Sequence, residues 1–103
     1  MDKDRRLEFH KLLVTTLGNN NVYFQPPTNV ELKYPCIIYK RSRFDSNYAD
    51  GKLYKGMQGY QVMIIDFDPD SEIPGRVRLL PFCRFDRHYT ADNLNHDVFN
   101  VYY

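Results

Sequence analysis

Tryptophan is absent from this 103-residue chain, cysteine occurs twice and glycine five times. Cys36 and Cys83 stand too far apart for a CxxC pair and match no zinc spacing, which argues against a redox motif or a finger. Scattered glycines leave no Gly-rich phosphate loop, and no GxSxG or HExxH sequence is present. No apolar run approaches the ~20 residues that cross a bilayer. Neither charge sign dominates: 14 Lys plus Arg stand against 13 Asp plus Glu. That balance makes dedicated nucleic-acid binding a poor first reading. The start, MDKDRRLEFHKLL, is charged from its second residue and has no signal-peptide apolar region. The expected setting is a cytoplasm, where both cysteines stay thiols and act as small apolar core residues.

What is present is an ordinary globular composition, 43% hydrophobic and 26% charged, sized for one domain over 1–103. Nine Tyr and seven Phe are more rings than a small core requires, and amphipathic rings suit interfaces.

Leu7, His10, Leu13, Val14 and Leu17 recur at helical spacing and predict a helix over Lys3 to Leu17. Asp2 or Asp4 suits its start, and Gly18 with the following asparagines stops it. Val22 to Phe24 is a short extended piece, ended by Pro26-Pro27. Cys36 to Arg41 reads as a strand whose Ile37 and Ile38 point to opposite faces. Residues 45–59 are polar and aromatic around an Asp50-Gly51 turn signal. They are expected to be loose in a monomer and ordered in an assembly. Tyr60 to Phe67 alternates most clearly: Tyr60, Val62 and Ile64 face one way, Gln61, Met63 and Ile65 the other. A short helix then carries Ile73, Val77 and Leu80, capped by Asp70 or Ser71 and admitting Pro74 in its first turn. Phe82 to Thr90 and Leu94 to Tyr103 read as a closing hairpin around an Ala91-Asp92-Asn93 turn. These elements predict an α+β domain: an antiparallel sheet of about four strands, with both helices packed on one face.

Few residues offer chemistry. Asp66, Asp68, Asp70 and Glu72 fail as a calcium loop, because its sixth position is Ser71 and its twelfth Val77. They read as a strand end running into a helix start, where acids are favourable. His10, His88, His96 and the cysteines are zinc-ligand types without zinc spacing. His88 with Asp86 and Asp97 is an acid–base grouping of a kind that arises often by chance. Lys40, Arg41 and Arg43, with Arg84 and Arg87, are interleaved with Tyr39, Phe44, Phe85 and Tyr89. That texture suits single strands of nucleic acid, or a sheet face used as a protein interface. Exposed ring and apolar residues in the 45–59 tip, namely Tyr48, Leu53 and Tyr54 beside Lys55, are candidate contacts.

The order of these motifs carries a resemblance. An N-terminal helix precedes Tyr34-Pro35 and the strand CIIYKR. A long polar hairpin leads to YQVMIIDF, then an acid-capped short helix and the closing FDRHYTADNLNHDVFNVYY. Nearly the whole chain resembles the tail-terminator or tail-completion proteins of tailed bacteriophages. The short second helix with Gly75 departs from members with a longer one. The resemblance implies a virion protein made in a bacterial host cytoplasm, without enzymatic activity or cofactor. It implies a homo-oligomeric ring, commonly hexameric, that ends tail-tube polymerisation at the head-proximal end. Its partners would be the tail tube protein and the head connector, and DNA would pass the lumen without specific binding. One ring face would use Tyr48, Leu53, Tyr54 and Lys55, and the other Arg41, Arg43, Arg84 and Arg87. A head-closure or neck protein at the same junction is the nearest rival, and a small nucleic-acid-binding module the rival from another class.

Overall fold

The computed structural model describes residues 3–42 and 56–103. Helix α1 (Lys3–Leu17) is followed by strands β1 (Val22–Phe24), β2 (Cys36–Arg41) and β3 (Gly59–Asp66). Helix α2 (Ile73–Val77) and strands β4 (Cys83–Ala91) and β5 (Leu94–Tyr102) complete the order. The sheet is five-stranded, in the order β1-β2-β3-β5-β4.

The expectation of about four antiparallel strands is corrected in one respect. β1 is a real strand and lies parallel to β2, with Val22 opposite Ile37 and Phe24 opposite Tyr39. A parallel pair needs a long return of the chain, and residues 25–35 supply it without a helix. The other pairings are antiparallel. The β4–β5 turn places Asp92 and Asn93 at φ 54° and 62°, the left-handed pair that a tight hairpin demands and that Asp and Asn tolerate.

The register sorts residues by face. Ile37, Tyr39, Tyr60, Val62, Ile64, Phe99 and Val101 form one buried cluster with Phe9, Leu13 and Leu17 of α1 and Ile73 and Val77 of α2. The predicted α1 stripe is rotated. Phe9, Leu13 and Leu17 are buried, whereas Leu7 is exposed. Phe9 takes the inward place because three rings receive it: Tyr60 at 4.6 Å, Tyr103 at 5.1 Å and Tyr39 at 5.5 Å between centroids. Such offset and edge contacts add to the area the ring buries. α1 ends where Gly18 adopts φ 90° and its N–H donates to the Val14 carbonyl at 2.9 Å. The α2 N-cap is Glu72, without a side-chain cap hydrogen bond, in place of the expected Asp70 or Ser71; Ser71, one residue earlier, accepts from the Ile73 N–H at 3.2 Å.

Candidate functional site

β4 is the last strand of the sheet and pairs with β5 alone, so its outer backbone edge has no strand beside it among the described residues. All nine of its residues are exposed or half-exposed. A register shift between Phe85 and Arg87 bulges the strand at Asp86. Bulges and charges are the usual guards of an edge that must not pair at random. The shift leaves Phe85 opposite Phe99 on the helix-covered face, and Arg87 opposite Val98 on the far face. Asp86 neutralises Arg87 across 2.6 Å. Tyr89 stacks on His96 at 4.6 Å and donates its hydroxyl to Met63 Sδ at 3.4 Å. Tyr89 thus roofs the middle of the far face.

An apolar margin adjoins this edge. Leu79, which precedes β4, is 82% exposed, and Phe82 and Phe85 are also exposed. Large exposed apolar side chains grouped together are the kind of surface that interaction sites use. Phe82 holds φ 54°, rare for a bulky residue, while its carbonyl accepts from the Tyr102 N–H at 3.1 Å.

A second cluster gathers where α1 begins and β2 ends. The Arg6 guanidinium lies 4.3 Å and that of Arg41 5.0 Å from the Phe24 ring centre, and Arg5 lies 4.6 Å from Tyr103. Arg6 donates to the Tyr39 hydroxyl at 3.2 Å, and His10 Nδ1 stands 2.7 Å from the same oxygen. Burial, helped by the Arg6 charge, lowers the His10 pKa. Burial raises those of Tyr39 and Tyr60. Tyr103 donates to Glu8 at 3.3 Å, and burial first, then the Glu8 charge, raises its pKa. Among the described residues Arg6 and Arg41 have no ion-pair partner, and Arg41 Nε is buried without an acceptor.

Of the residues expected to carry function, Arg43, Tyr48, Leu53, Tyr54 and Lys55 lie outside the described residues. Arg41, Arg84 and Arg87 do not form one patch. Arg41 shares the helix-covered face with Tyr60 opposite it, whereas Arg84 and Arg87 occupy the far face with two strands between. The strand period separates them, because Arg41 is an odd position and Lys40, its even neighbour, shares the face of Arg84. His88 and Asp97 do meet, at 2.8 Å, but Asp86 is engaged with Arg87. The acidic run is a strand end and turn: Asp66 accepts from the Asp68 N–H at 3.0 Å, and Asp68 from the Asp70 N–H at 2.9 Å. No group of three metal-ligand side chains converges among the described residues. Burial raises the thiol of Cys36 to about 12 and that of Cys83 to about 11. No helix among the described residues is long and apolar enough to cross a membrane.

Sequence reasoning missed Leu79 and the Arg5–Arg6 pair. Leu79 sits one position from Leu80, which the sequence assigned to the α2 stripe although α2 ends at Val77, so periodicity pointed past it. Arg5 and Arg6 belong to no stripe or motif in the sequence, and only the fold puts Phe24 and Tyr103 under them. No family model, no curated protein and no solved structure matches this chain.

Proposed function

We propose that the chain is a ring-forming structural subunit of a tailed phage. In this reading it ends tail-tube polymerisation at the head-proximal end and joins the tube to the head connector. One observation carries the proposal: the open β4 edge with Leu79, Phe82 and Phe85 exposed beside it. A soluble monomer gains nothing from that margin, whereas a subunit covered by its neighbours uses it. The element order supports the same reading, because it is the order on which the tail-terminator resemblance rests. The near-neutral charge suits a lumen through which DNA slides, since tight binding comes from neutralised phosphates. The virion is then its location, and the tail tube protein, the connector and further copies of itself are its partners. It acts by shape, with no reaction and no cofactor.

Deleting the gene from the phage tests this. Filled heads and unjoined tails of uncontrolled length are expected. Tails of fixed length that join heads without the protein overturn the terminator role, and tails of fixed length that fail to join assign it to head closure instead.

The nucleic-acid reading draws on one feature, the row Lys40, Gln61, Asn100 and Arg84 across the far face. Asp86 beside Arg87 works against it. Steep salt dependence of binding to single-stranded DNA would favour that module.

A further inference from the structure

Phe67, directly after β3, is 62% exposed and has acids on both sides. Asp68 and Asp70 are exposed, and the backbone that carries them is fixed by two successive hydrogen bonds, from the Asp68 N–H to Asp66 at 3.0 Å and from the Asp70 N–H to Asp68 at 2.9 Å. The result is a preformed apolar knob in an acidic collar. Elsewhere on the molecule a cleft of about 520 Å³ opens beside β2. Pro26, Val30, Leu32 and Ile38 line it, together with Lys40 and Arg41. Lys40 is exposed, and Arg41 has the buried Nε without an acceptor among the described residues. Its size lies in the range of pockets that receive a side chain or small ligand.

Knob and cleft complement each other in hydrophobicity and in charge. Phe67 does not line the cleft of its own molecule. Ile38 pairs with Met63 and Lys40 with Gln61, so Phe67 stands at least four residues further along the strand, roughly 13 Å from Ile38. We propose that the cleft is filled by a second copy of this chain, with Phe67 of one copy seated on Ile38 and Asp68 and Asp70 facing Lys40 and Arg41. The contact uses two different surfaces and is therefore head-to-tail, the kind that generates rings when its rotation closes. Apolar anchoring supplies the affinity. The charges supply register and a salt-sensitive association rate. The inference deepens the ring reading and rests on it in one respect, that copies of the chain meet.

The test mixes two full-length variants, each able to make only half of the contact. An isotope-labelled Phe67→Ser copy keeps the cleft and lacks the knob. An unlabelled Lys40→Glu copy keeps the knob and has a repulsive cleft. Both positions are exposed, so both variants should melt as the parent does, which thermal unfolding checks first. At about millimolar concentration, where weak contacts register, amide shifts are expected at Val30, Leu32 and Ile38 of the labelled copy. They should weaken about tenfold or more in apparent affinity when the unlabelled copy also carries Phe67→Ser. Absent shifts, shifts confined to other surfaces, or shifts that survive the loss of both Phe67 rings overturn the proposal. The deletion phage separates the two readings: joined tails of fixed length remove the terminator role and leave this contact standing. A silent cleft together with the deletion defect removes the contact alone.

Discussion

The Tyr39 hydroxyl and His10 Nδ1 stand 2.7 Å apart, in a place where Tyr39 is fully buried. Arg6 donates to the same oxygen from 3.2 Å, so the hydroxyl proton is free to point at Nδ1. All three groups are satisfied when that nitrogen is unprotonated. Burial and then the Arg6 charge lower the His10 pKa below 6.5 in the fold. The unfolded chain therefore takes up the proton first as pH falls, and this part of the stability is present above about 6.5 and lost on acidification. Tyr60, which faces the same rings, has its pKa raised by burial, so it stays protonated throughout this range. We expect the melting temperature to fall between about pH 7 and pH 5 and the fall to be shallower in His10→Gln. Identical slopes in the two proteins would remove His10 as the cause.

Tyr39→Phe tests the same contact from its other side. It leaves His10 Nδ1 and one Arg6 N–H without their partner while preserving the ring packed edge-on to Phe9 and tilted against Phe24. A loss of about 1–2 kcal/mol is expected by denaturant titration, the usual consequence of removing one member of a buried hydrogen-bonded set.

The two thiols should be silent in the native protein. Cys36 is fully buried with its pKa raised to about 12, and Cys83 is half-buried at about 11. Thiolate is the reacting form. At about pH 8, a disulfide reagent should titrate essentially no thiol until denaturant is added, and then two. Rapid native labelling of either cysteine would contradict this packing.

Two glycines should respond in opposite directions to the same change. Gly18 holds φ 90° at the end of α1, where any Cβ is strained. Gly18→Ala should destabilise by about 1 kcal/mol. Gly75 lies inside α2 without a positive φ, and an added Cβ there meets no atom within 4 Å. Gly75→Ala should stabilise by about 0.5–1 kcal/mol, through helix propensity and a less free unfolded chain. Thermal unfolding of the pair reads both signs at once.

Much of the architecture was legible because its signals are local. Gly18 stops α1, the alternation over Tyr60 to Ile65 sets two faces of β3, and Asp92-Asn93 turns the closing hairpin. What was not legible is long-range. β1 has only three residues, and its parallel partner is known only once residues 25–35 have returned the chain. The α1 face is fixed by three rings from β2, β3 and the C-terminal end, so Phe9 displaces Leu7 although both fit a helical stripe. The surfaces proposed as contacts were hidden for the same reason. Phe67 reads as the last residue of a strand, and Val30 and Leu32 as loop. Their complementarity exists only when the fold separates one from the others.

Leu79 offers the sharpest separation of assembly from stability. It is 82% exposed and lies outside the buried cluster, in the short link between α2 and β4. Leu79→Lys should therefore leave the monomer's stability within about 0.5 kcal/mol of the parent, as surface changes usually do. In a ring that covers the β4 margin, the same lysine must be buried against a neighbour or hold that neighbour off, and an unpaired buried charge is strongly unfavourable. Complementation of a deletion phage should then fail with Leu79→Lys and succeed with Leu79→Met, which keeps an apolar contact of similar volume. Tail lengths in the failed complementation should spread, because an unfinished ring cannot stop the tube. Normal tails and full titre with Leu79→Lys would place the subunit contacts away from β4. A matching loss of monomer stability would instead make Leu79 part of the core.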